Sequence, residues 1–381
     1  MQRFGGAATH MEQSFNREVL DRLTYLAGSR EAAEEMACVP ALRPFDSRVT
    51  DFLDGLSRTL MREPRSRAYP DVATFAFWIR RGSTENLRKH HEKEDGNIRL
   101  GRGTAFHIAP SNVPVNFAYS LAAGLLTGNR NIIRIPTKDF PQTDIICQAV
   151  NRTLEEHGEM KPYIVLVRYG RDREINDVLS AMADIRIVWG GDKTIAELRK
   201  SQLPPRSTEV TFADRYSLAV IDGDAYLDTE DKEKTAVDFY NDTYLTDQNA
   251  CTSPRIVVWT GEKKAEAKEM FWRKLHQVVK EKYPFQGIQA VNKLTSSCLA
   301  AVRMPGVKTE PHEDNLIIRV AVEKAAADLM ELKDNSGYFF EYDCKNLLEI
   351  KPLCDDKRCQ TISYIGKKEM LFPLLRSGIK G

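Results

Sequence analysis

The sequence predicts an α/β protein in which short parallel strands alternate with helices. Between residues 104 and 221, apolar runs of five or six residues alternate with helical segments, as in βαβ units whose sheet is covered on both faces. A second series of helices and strands follows residue 229. A chain of 381 residues is long enough for two domains with full cores.

The first part of the chain, residues 13–100, is predicted to be helical. Apolar residues recur there at helical spacing, for example Phe52, Leu56 and Leu60. The charged run 88–96 is predicted to be a linker, and its two histidines are interpreted as solvated rather than metal-binding.

Residues 104–221 supply the predicted elements of the first sheet. The strands are Thr104–Ala109, Asn131–Ile135, Tyr163–Val167, Ile185–Trp189 and Tyr216–Ile221, and the helices are Val115–Leu126, Asp144–His157, Glu174–Met182 and Thr194–Lys200. Parallel sheets bind ligands at the carboxyl ends of their strands. We therefore expect Asn112, Arg134 and Gly190–Gly191, which lie at or just after strand ends, to face one crevice.

The second series of elements surrounds a single cysteine. A predicted helix over 231–245 precedes Cys251, and a strand over 255–259 follows it. The later elements are a helix over 262–282 and the strands Leu316–Val320 and Tyr338–Tyr342. The neighbours of Cys251 are small and polar, whereas a structural cysteine more often lies in an apolar stripe. This setting indicates a nucleophile at the mouth of a cleft.

Composition excludes several classes of protein. Lys plus Arg (55) nearly balances Asp plus Glu (54), so no net charge attracts nucleic acid or an anionic membrane. The seven cysteines are scattered without a C-x-x-C pair, which argues against disulfides or a metal site and for a reducing cytoplasm. Met1–Gly6 starts no signal peptide, and no stretch is apolar enough to span a bilayer. We therefore expect a cytoplasmic protein.

The turn after the first strand lacks the usual phosphate-binding glycines. Ala109–Pro114 stands where G-x-G-x-x-G would follow the strand of a Rossmann unit, so a cofactor would have to bind in another way. On local grounds alone, Asn112 is interpreted as the N-cap of the next helix.

Several ordered segments resemble one known family. They are 107–114 (HIAPSNVP), 124–130 (GLLTGNR) and 247–254 (DQNACTSP), preceded by Tyr69–Val72 and Phe77–Arg80 and followed by Gln360–Ser363. Together they resemble the long-chain acyl-CoA reductases, the fatty acid reductases of bacterial bioluminescence, which belong to the aldehyde dehydrogenase superfamily. The resemblance covers roughly residues 65–381.

The resemblance implies an aldehyde dehydrogenase-like fold with a Rossmann-type cofactor domain and an α/β catalytic domain. The implied domains are a helical region over 1–100, a dinucleotide-binding domain over 101–228 and a catalytic domain over 229–381. Cys251 matches the family's nucleophile, and Asn112 matches the asparagine whose amide forms the oxyanion hole with the backbone N–H of the cysteine. The implied cofactor-binding residues are Ser111, Arg134, Pro136, Lys138, Gly190, Gly191 and Thr194.

The implied reaction is NAD(P)H-dependent reduction of a long-chain acyl thioester, acyl-CoA or another donor, to the aldehyde through a Cys251 acyl-enzyme. An acyl-donor protein as partner and a homo-oligomer both stay open. Two other functions also stay open: a cysteine acyltransferase or thioesterase without a redox step, and an inactive truncated homologue. The truncated homologue is suggested by the end of the chain at 376–381, where the family continues for several dozen residues.

Two further features bear on the chemistry. Aldehyde-oxidising relatives carry a water-activating glutamate where Thr211 or a neighbour stands here, with Glu209 and Asp214 out of register. In addition, Lys138 or Thr137 occupies the position of the acidic residue that binds the adenosine ribose in NAD-selective relatives. NADPH is therefore the expected cofactor, with NADH as the alternative, although a slip of one residue would restore an acid at Asp139.

Overall fold

The computed structural model describes residues 17–92, 95–311 and 314–379. The chain divides into two compact units, Met1–Ala213 and Asp214–Gly381, and each unit contains a six-stranded sheet. The predicted α/β class is confirmed. The absence of a signal peptide, predicted from the first residues, concerns a segment outside the described residues.

The first unit is built on a sheet with the strand order β1-β4-β3-β2-β5-β6. Its strands are β1 (Thr24–Ala27), β2 (Thr104–Ile108), β3 (Arg130–Ile135), β4 (Ile164–Arg168), β5 (Ile185–Trp189) and β6 (Thr208–Phe212). All neighbours pair in parallel except β1, which runs antiparallel to β4. From β2 the chain moves to β3 and β4 on one side and then to β5 and β6 on the other, so the topological switch point lies between β2 and β5.

Helices cover both faces of this sheet. They are α1 (Arg30–Glu35), α2 (Ser47–Arg62), α3 (Pro70–Trp78), α4 (Arg81–His91), α5 (Asn116–Leu126), α6 (Pro141–Glu156), α7 (Arg173–Ala181) and α8 (Asp192–Leu198), with 3₁₀ turns at Pro64–Ala68 and Gly158–Tyr163. Alternate residues of β4 enter different apolar clusters, Ile164 and Leu166 on one face and Val165 and Val167 on the other. This alternation is expected for a strand buried on both faces.

Two predictions for the first hundred residues are wrong. The charged run starting at Arg88 is not a linker throughout, because residues 88–91 form the last turn of α4. Basic side chains are favourable there, at the negative end of the helix dipole. The helical prediction also missed β1, a four-residue strand. Its identity depends on pairing with β4 rather than on its own pattern.

The segment 124–130, which contributed to the family resemblance, has a structural role. A Cβ on Gly124 would lie 1.9 Å from Asn131 Oδ1, so only glycine lets α5 approach β3 this closely. Asn129 accepts hydrogen bonds from the backbone N–H groups of Arg102 (2.7 Å) and Gly103 (3.3 Å). These contacts fix the start of β2 against the start of β3.

A buried polar group lies under the same helix. His107 is fully buried, with Nδ1 2.8 Å from Ser120 Oγ and Nε2 3.0 Å from Asn131 Oδ1. The Asn131 amide nitrogen donates to the Asn129 carbonyl (2.8 Å), so its oxygen faces the histidine and accepts a hydrogen bond from the Nε2–H group. Burial lowers the pKa of His107 to about 4, although the hydrogen bond to Asn131 opposes the shift.

This histidine is expected to make the first unit sensitive to acid. Since its folded pKa lies below the unfolded value, the unfolded chain takes up a proton first as pH falls. Stability is therefore lost between about pH 6.5 and pH 4, by about 3 kcal/mol in total. The free energy of unfolding in urea, measured at about pH 7 and about pH 5, should fall less in a His107→Gln variant than in the native chain. His90→Gln, on an exposed helix position, is the control and should leave the pH dependence unchanged. Equal pH dependence of all three proteins would contradict the assignment.

The second unit has the strand order β12-β7-β8-β11-β10-β9. Its strands are β7 (Tyr216–Asp222), β8 (Pro254–Thr260), β9 (Lys308–Pro311), β10 (Ile318–Val322), β11 (Tyr338–Asp343) and β12 (Cys359–Ile365), and only β9 is antiparallel to its neighbour. The prediction that placed Tyr216–Ile221 in the first sheet is wrong. β7 pairs with β8 and β12 instead, and pairing of this kind cannot be deduced from a local apolar pattern.

The helices of the second unit are α9 (Gly223–Asp228), α10 (Lys232–Thr243), α11 (Lys264–Lys282), α12 (Gly287–Arg303), α13 (Lys351–Cys354) and α14 (Phe372–Arg376), with 3₁₀ turns at Tyr244–Thr246, Ala327–Leu332, Leu347–Ile350 and Lys368–Leu371. Ile256 and Val258 of β8 enter one apolar cluster, and Val257 and Trp259 enter another on the opposite face. Among all helices in the described ranges, none is both long and apolar enough to cross a bilayer.

Candidate functional site

In the first unit, Ser111 and Asn112 lie in the loop that follows β2, and both are exposed. The interpretation of Asn112 as an N-cap is wrong. Helix α5 begins at Asn116 with Val115 as its N-cap, because a turn closed by Asn116 N–H to the Val113 carbonyl (3.2 Å) comes first. No hydrogen bond of the Asn112 side chain is found within the described ranges. The amide is therefore free to meet a ligand.

The loops after β2, β3 and β5 leave the sheet side by side. Ile108, the last residue of β2, is in register with Arg134 on one side and Val188 on the other. The loops after β2 and β3 meet in a small depression, whose lining includes Ala109, Pro110, Val113, Pro114, Pro136 and Phe140. The structure thus brings the predicted cofactor residues of the first unit to the carboxyl end of the sheet, with the loops after β2 and β5 beside the switch point and the loop after β3 next to them.

Arg134, at the end of β3, is held loosely. Its Nη2 donates to the carbonyls of Tyr169 (3.5 Å) and Gly170 (3.3 Å), and its guanidinium lies 4.8 Å from the centre of the Tyr169 ring. Its Nε is buried and has no hydrogen-bond partner among the described residues. Two long hydrogen bonds leave most of the five donors of a guanidinium unused.

The turn after β3 contains a lysine for which no ion pair is found among the described residues and an aspartate that is paired. Lys138 is exposed, with Nζ 4.8 Å from the centre of the Phe140 ring. The Asp139 carboxylate accepts a hydrogen bond from Arg168 Nη1 at 2.7 Å. Asp139 is the acid that a slip of one residue in the alignment would place against the cofactor ribose. In the structure its charge is paired with that of Arg168, the last residue of β4.

In the loop after β5, two of the predicted cofactor residues, Gly190 and Thr194, pack closely against each other. A Cβ on Gly190 would lie 3.1 Å from Thr194 Cγ2, so this glycine permits close packing of the loop on the first turn of α8. Gly191 is the N-cap of that helix, and a Cβ there would meet nothing within 4 Å. The backbone at Gly191 is consequently open to an approaching molecule.

Strand β6 contains Thr211, which stands where the family resemblance would place a water-activating glutamate. Its one acid, Glu209, accepts hydrogen bonds from Arg186 Nη2 (2.6 Å) and Arg199 Nε (2.7 Å). Burial acts to raise the pKa of Glu209, but the hydrogen bonds from Arg199 and Arg186 outweigh it and lower the pKa. A carboxylate held by two guanidinium groups is a weak base.

Cys251, in the second unit, follows a backbone turn of unusual conformation. Asp247 and Gln248 both have left-handed backbones, with φ of 51° and 53°, a conformation that costs on the order of 1 kcal/mol for a side chain of this kind. The Asp247 carboxylate accepts hydrogen bonds from Ser336 Oγ (2.7 Å) and from the Tyr283 hydroxyl. These bonds hold the turn in place.

The Gln248 side chain ties the turn to two strands. Its Nε2 donates to the carbonyls of Pro254 (3.2 Å) and Tyr338 (3.3 Å), and its Oε1 accepts from the N–H groups of Gly337 (2.7 Å) and Tyr338 (3.1 Å). The residue is fully buried. Arg255, also buried, donates to the Gln248 carbonyl and to Asn335 Oδ1 (2.7 Å). Burial lowers the pKa of Arg255 to about 10, so it remains charged at neutral pH.

Cys251 itself is half-buried at the end of this fixed segment. Its carbonyl accepts a hydrogen bond from Ser217 Oγ of β7 (2.8 Å), and the next residue, Thr252, is exposed. Ser253 Oγ donates to the Asp242 carbonyl at 2.6 Å. The arrangement combines a hydrogen-bonded backbone with a cysteine that is only half-buried, which suits a nucleophile.

Sequence reasoning missed the residues that hold this segment. Gln248 was seen only as part of a polar run, and Arg255 only as the start of an apolar strand. A lone charge next to an apolar strand is a usable signal, because a buried guanidinium requires several acceptors. Lys293 of α12 is a third case. It is buried and donates to the carbonyl of Ser336 at 2.6 Å, and burial lowers its pKa to about 8.

The predicted site residues are thus divided between the units. Asn112 and the cofactor set belong to the first unit, and Cys251 belongs to the second. In the part of the chain that the structure describes, no group of three or more His, Cys, Asp or Glu side chains could hold a metal ion.

Comparison with known proteins identifies sequence relatives. A family model described as acyl-CoA reductase (LuxC) matches residues 79–294. The long-chain acyl-protein thioester reductase of Aliivibrio fischeri is 25% identical over 162 residues, which cover 42% of this chain and 33% of the relative. The corresponding protein of Vibrio harveyi is 26% identical over 176 residues, covering 46% and 36%. The matched part of the chain spans about a third of the length of these relatives.

Solved structures with the same fold are aldehyde dehydrogenases and related enzymes. A structure described as an NADP-dependent enzyme of E. coli has a TM-score of 0.63 at 13% identity and covers 97% of this chain and 81% of its own. A Thermus 1-pyrroline-5-carboxylate dehydrogenase with bound NAD has a TM-score of 0.62 at 14% identity, covering 96% and 76%. The predicted aldehyde dehydrogenase-like fold is confirmed.

Proposed function

Because the chain belongs to the acyl-CoA reductase (LuxC) family, we propose that it reduces an acyl thioester to an aldehyde through an acyl group carried on Cys251. The observation that carries this proposal is the segment 247–255. Four hydrogen bonds of the Gln248 side chain anchor this segment, while Cys251 is only half-buried. A cysteine that served only packing would need neither feature.

The reaction divides into two steps. In the first, the Cys251 thiolate attacks the acyl carbonyl and the donor thiol leaves. A nicotinamide cofactor, which residues of the first unit such as Ser111, Arg134 and Gly191 would hold, would supply the hydride for the second step, in which the acyl group leaves Cys251 as the aldehyde. The role that we propose for the Asn112 amide, as the family resemblance implies, is to donate a hydrogen bond to the oxyanion that forms in both steps.

The first unit suits a nicotinamide cofactor in spite of its glycine-free turn. The switch point between β2 and β5 is the place where open α/β sheets bind dinucleotides. Ser111 is exposed on one side of it, and the open backbone of Gly191 lies on the other. Arg134 and Lys138 supply unused donors at the neighbouring strand end.

The state of Glu209 supports reduction rather than hydrolysis. An acyl-enzyme that waits for hydride must not be attacked by water, and a carboxylate base would promote that attack. Arg186 and Arg199 both donate hydrogen bonds to Glu209, the only acid of β6. Its low basicity would protect the thioester.

We propose acyl-CoA or an acylated protein as the donor. The curated relatives are described as acyl-protein thioester reductases, and both donors present the same thioester carbonyl to Cys251. The acyl chain is proposed to be long, as the family implies.

The function is tested by mixing the protein with a long-chain acyl-CoA and NADPH and following absorbance at the nicotinamide band and the mass of the intact protein. Reduction predicts loss of absorbance and formation of aldehyde. An acyl adduct without cofactor consumption would favour the acyltransferase or thioesterase. Failure to form any adduct, with acyl-CoA or with an acylated carrier protein, would contradict both.

The cofactor is expected to be NADPH rather than NADH. Arg134 or Lys138 would pair with the 2′-phosphate of NADPH, and the acid of the turn after β3, Asp139, would not oppose this because it is bound to Arg168. The ratio of kcat/KM for the two cofactors measures this preference.

The dissociation constants of NADP⁺ and NAD⁺, measured by calorimetry, test the same assignment without turnover. Lys138→Ala should weaken NADP⁺ binding and leave NAD⁺ binding unchanged. Lys161→Ala is the matched control. Lys161 is an exposed lysine that precedes β4 and so lies at the amino end of the strands, opposite to Lys138. Equal affinities for the two cofactors in the native chain would show that this turn does not bind the phosphate.

A further inference from the structure

Two cysteines outside the proposed active site are in contact in the second unit. Cys354 ends α13 and is buried, and Cys359 begins β12 and is half-buried. Both pack in the same apolar cluster, and the interaction between the two thiols is the largest influence on the pKa of each. The two side chains therefore already occupy neighbouring positions.

The turn between them is held closed by backbone contacts. Cys359 N–H donates to the Asp356 carbonyl at 2.9 Å. Tyr216 of β7 contacts both ends of the turn, since its hydroxyl donates to the Leu353 carbonyl (2.8 Å) and its N–H donates to the Arg358 carbonyl (2.9 Å). The backbones that carry the two cysteines are thus held close together by the sheet.

The two thiols differ in character. The hydrogen bond from Cys354 lowers the pKa of Cys359, even though burial opposes the shift. The same hydrogen bond, together with burial, raises the pKa of Cys354. Cys359 is also the more exposed of the two. Cys359 is therefore the thiolate that an oxidant would meet first, and Cys354 is the thiol placed behind it.

We propose that Cys354 and Cys359 form a reversible intramolecular disulfide when the protein meets hydrogen peroxide. The Cys359 thiolate attacks one peroxide oxygen, the O–O bond breaks, and hydroxide leaves and takes up a proton to become water. Cys354 then attacks the sulfur of the resulting sulfenic acid, loses its proton and displaces a second water. Each thiol is oxidised by one electron, the peroxide is reduced to two waters, and a dithiol reductant reverses the change.

The remaining cysteines lack this arrangement. Burial raises the pKa of Cys147 to about 12 and that of Cys344 to about 11, so neither supplies a thiolate at neutral pH. Cys251 belongs to the segment already described, and no thiol–thiol contact other than that of Cys354 with Cys359 is found in the described ranges. Intracellular disulfides are commonly transient and redox-sensing. A built pair of this kind is therefore a modification site separate from the nucleophile.

The disulfide would act on the strand that supports the nucleophile segment. Thr361 of β12 is in register with Ser217 of β7, whose hydroxyl holds the Cys251 carbonyl. Oxidation tethers the start of β12 to α13 and so restrains this pairing. The proposal itself needs neither an acyl donor nor a cofactor.

The test is intact mass spectrometry after brief treatment with stoichiometric peroxide, followed by peptide mapping without reduction. The native chain should lose the mass of two hydrogen atoms, and the mapping should join Cys354 to Cys359. In Cys354→Ala the disulfide should be absent, and Cys359 should become trapped by dimedone as a sulfenic acid. Cys359→Ala should show neither product.

Cys344→Ala is the matched control for loss of a buried thiol, and it should form the disulfide as the native chain does. Cys251→Ala should do the same, which separates this result from any result on the acyl transfer. Oxidation of Cys359 beyond the sulfenic acid without a cross-link in the native chain would overturn the proposal. A cross-link that joins either residue to another cysteine would overturn it as well.

Discussion

Replacement of Cys251 with alanine is expected to abolish both the acyl adduct and the reductase activity. The substitution removes the only sulfur in the fixed segment 247–255 and leaves the bonds of Gln248 and Ser217 in place, since none of those bonds involves the Cys251 side chain. The protein should therefore fold as before. Activity should fall to the level of the uncatalysed background, because without the thiolate there is no group to receive the acyl chain.

The measurement is the mass of the intact protein after incubation with acyl-CoAs of several lengths, together with NADPH consumption. Cys298→Ala is the control, because Cys298 is an exposed thiol of α12 outside the segment. It should keep both the adduct and the turnover. An adduct mapped to Cys298, Cys354 or Cys359 in the native chain would show that the nucleophile is misassigned.

The second large effect is expected at Asn112. Replacement with alanine should lower kcat by a factor of about 10² to 10³, the usual loss for one oxyanion donor, equivalent to ~2.7–4 kcal/mol. The melting temperature should not change. Asn112 is exposed, its side chain caps no helix, and Val115 occupies the N-cap of α5.

Asn112→Asp sharpens this test. The aspartate keeps the size of the side chain but replaces the amide donor with a carboxylate, so the loss of kcat should be at least as large as for alanine. A loss of stability at a true N-cap would be ~1 kcal/mol, and Asp46→Ala, which removes the cap of α2, provides that comparison. Full turnover in Asn112→Asp would exclude the oxyanion role.

The interior strands of the first sheet could be predicted from the sequence because burial on both faces makes them short apolar runs. β2, β3, β4 and β5 all lie within a residue or two of their predicted bounds. The edge strands β1, β6, β9 and β12 were missed. Their residues are mostly exposed or half-exposed and form no buried apolar run, and β6, for instance, alternates between exposed and half-exposed residues. Such strands are defined by their partners.

The candidate site shows the same limit. Ser111, Gly190 and Arg134 could be placed at one sheet edge, because the carboxyl ends of parallel strands are adjacent. The local interpretation of Asn112 failed because the helix start depends on a turn closed by Val113, which has no strong sequence signature. The supports of Cys251 come from residues as distant as Ser336 and Tyr338, and no local pattern reports contacts over that separation.

The four hydrogen bonds of Gln248 have a consequence for motion. They join the nucleophile segment to the interior strands β8 and β11, so displacing the segment means breaking bonds at the ends of both strands. Local openings in proteins range in free energy from near zero in loops to the full stability in core strands. The segment around Cys251 has the backbone of a loop, but we expect its free energy of local opening to be close to that of the core strands. Fluctuations that reposition its main chain would be rare events governed by the stability of the sheet, and the side chain of Cys251 alone would sample alternatives on fast timescales.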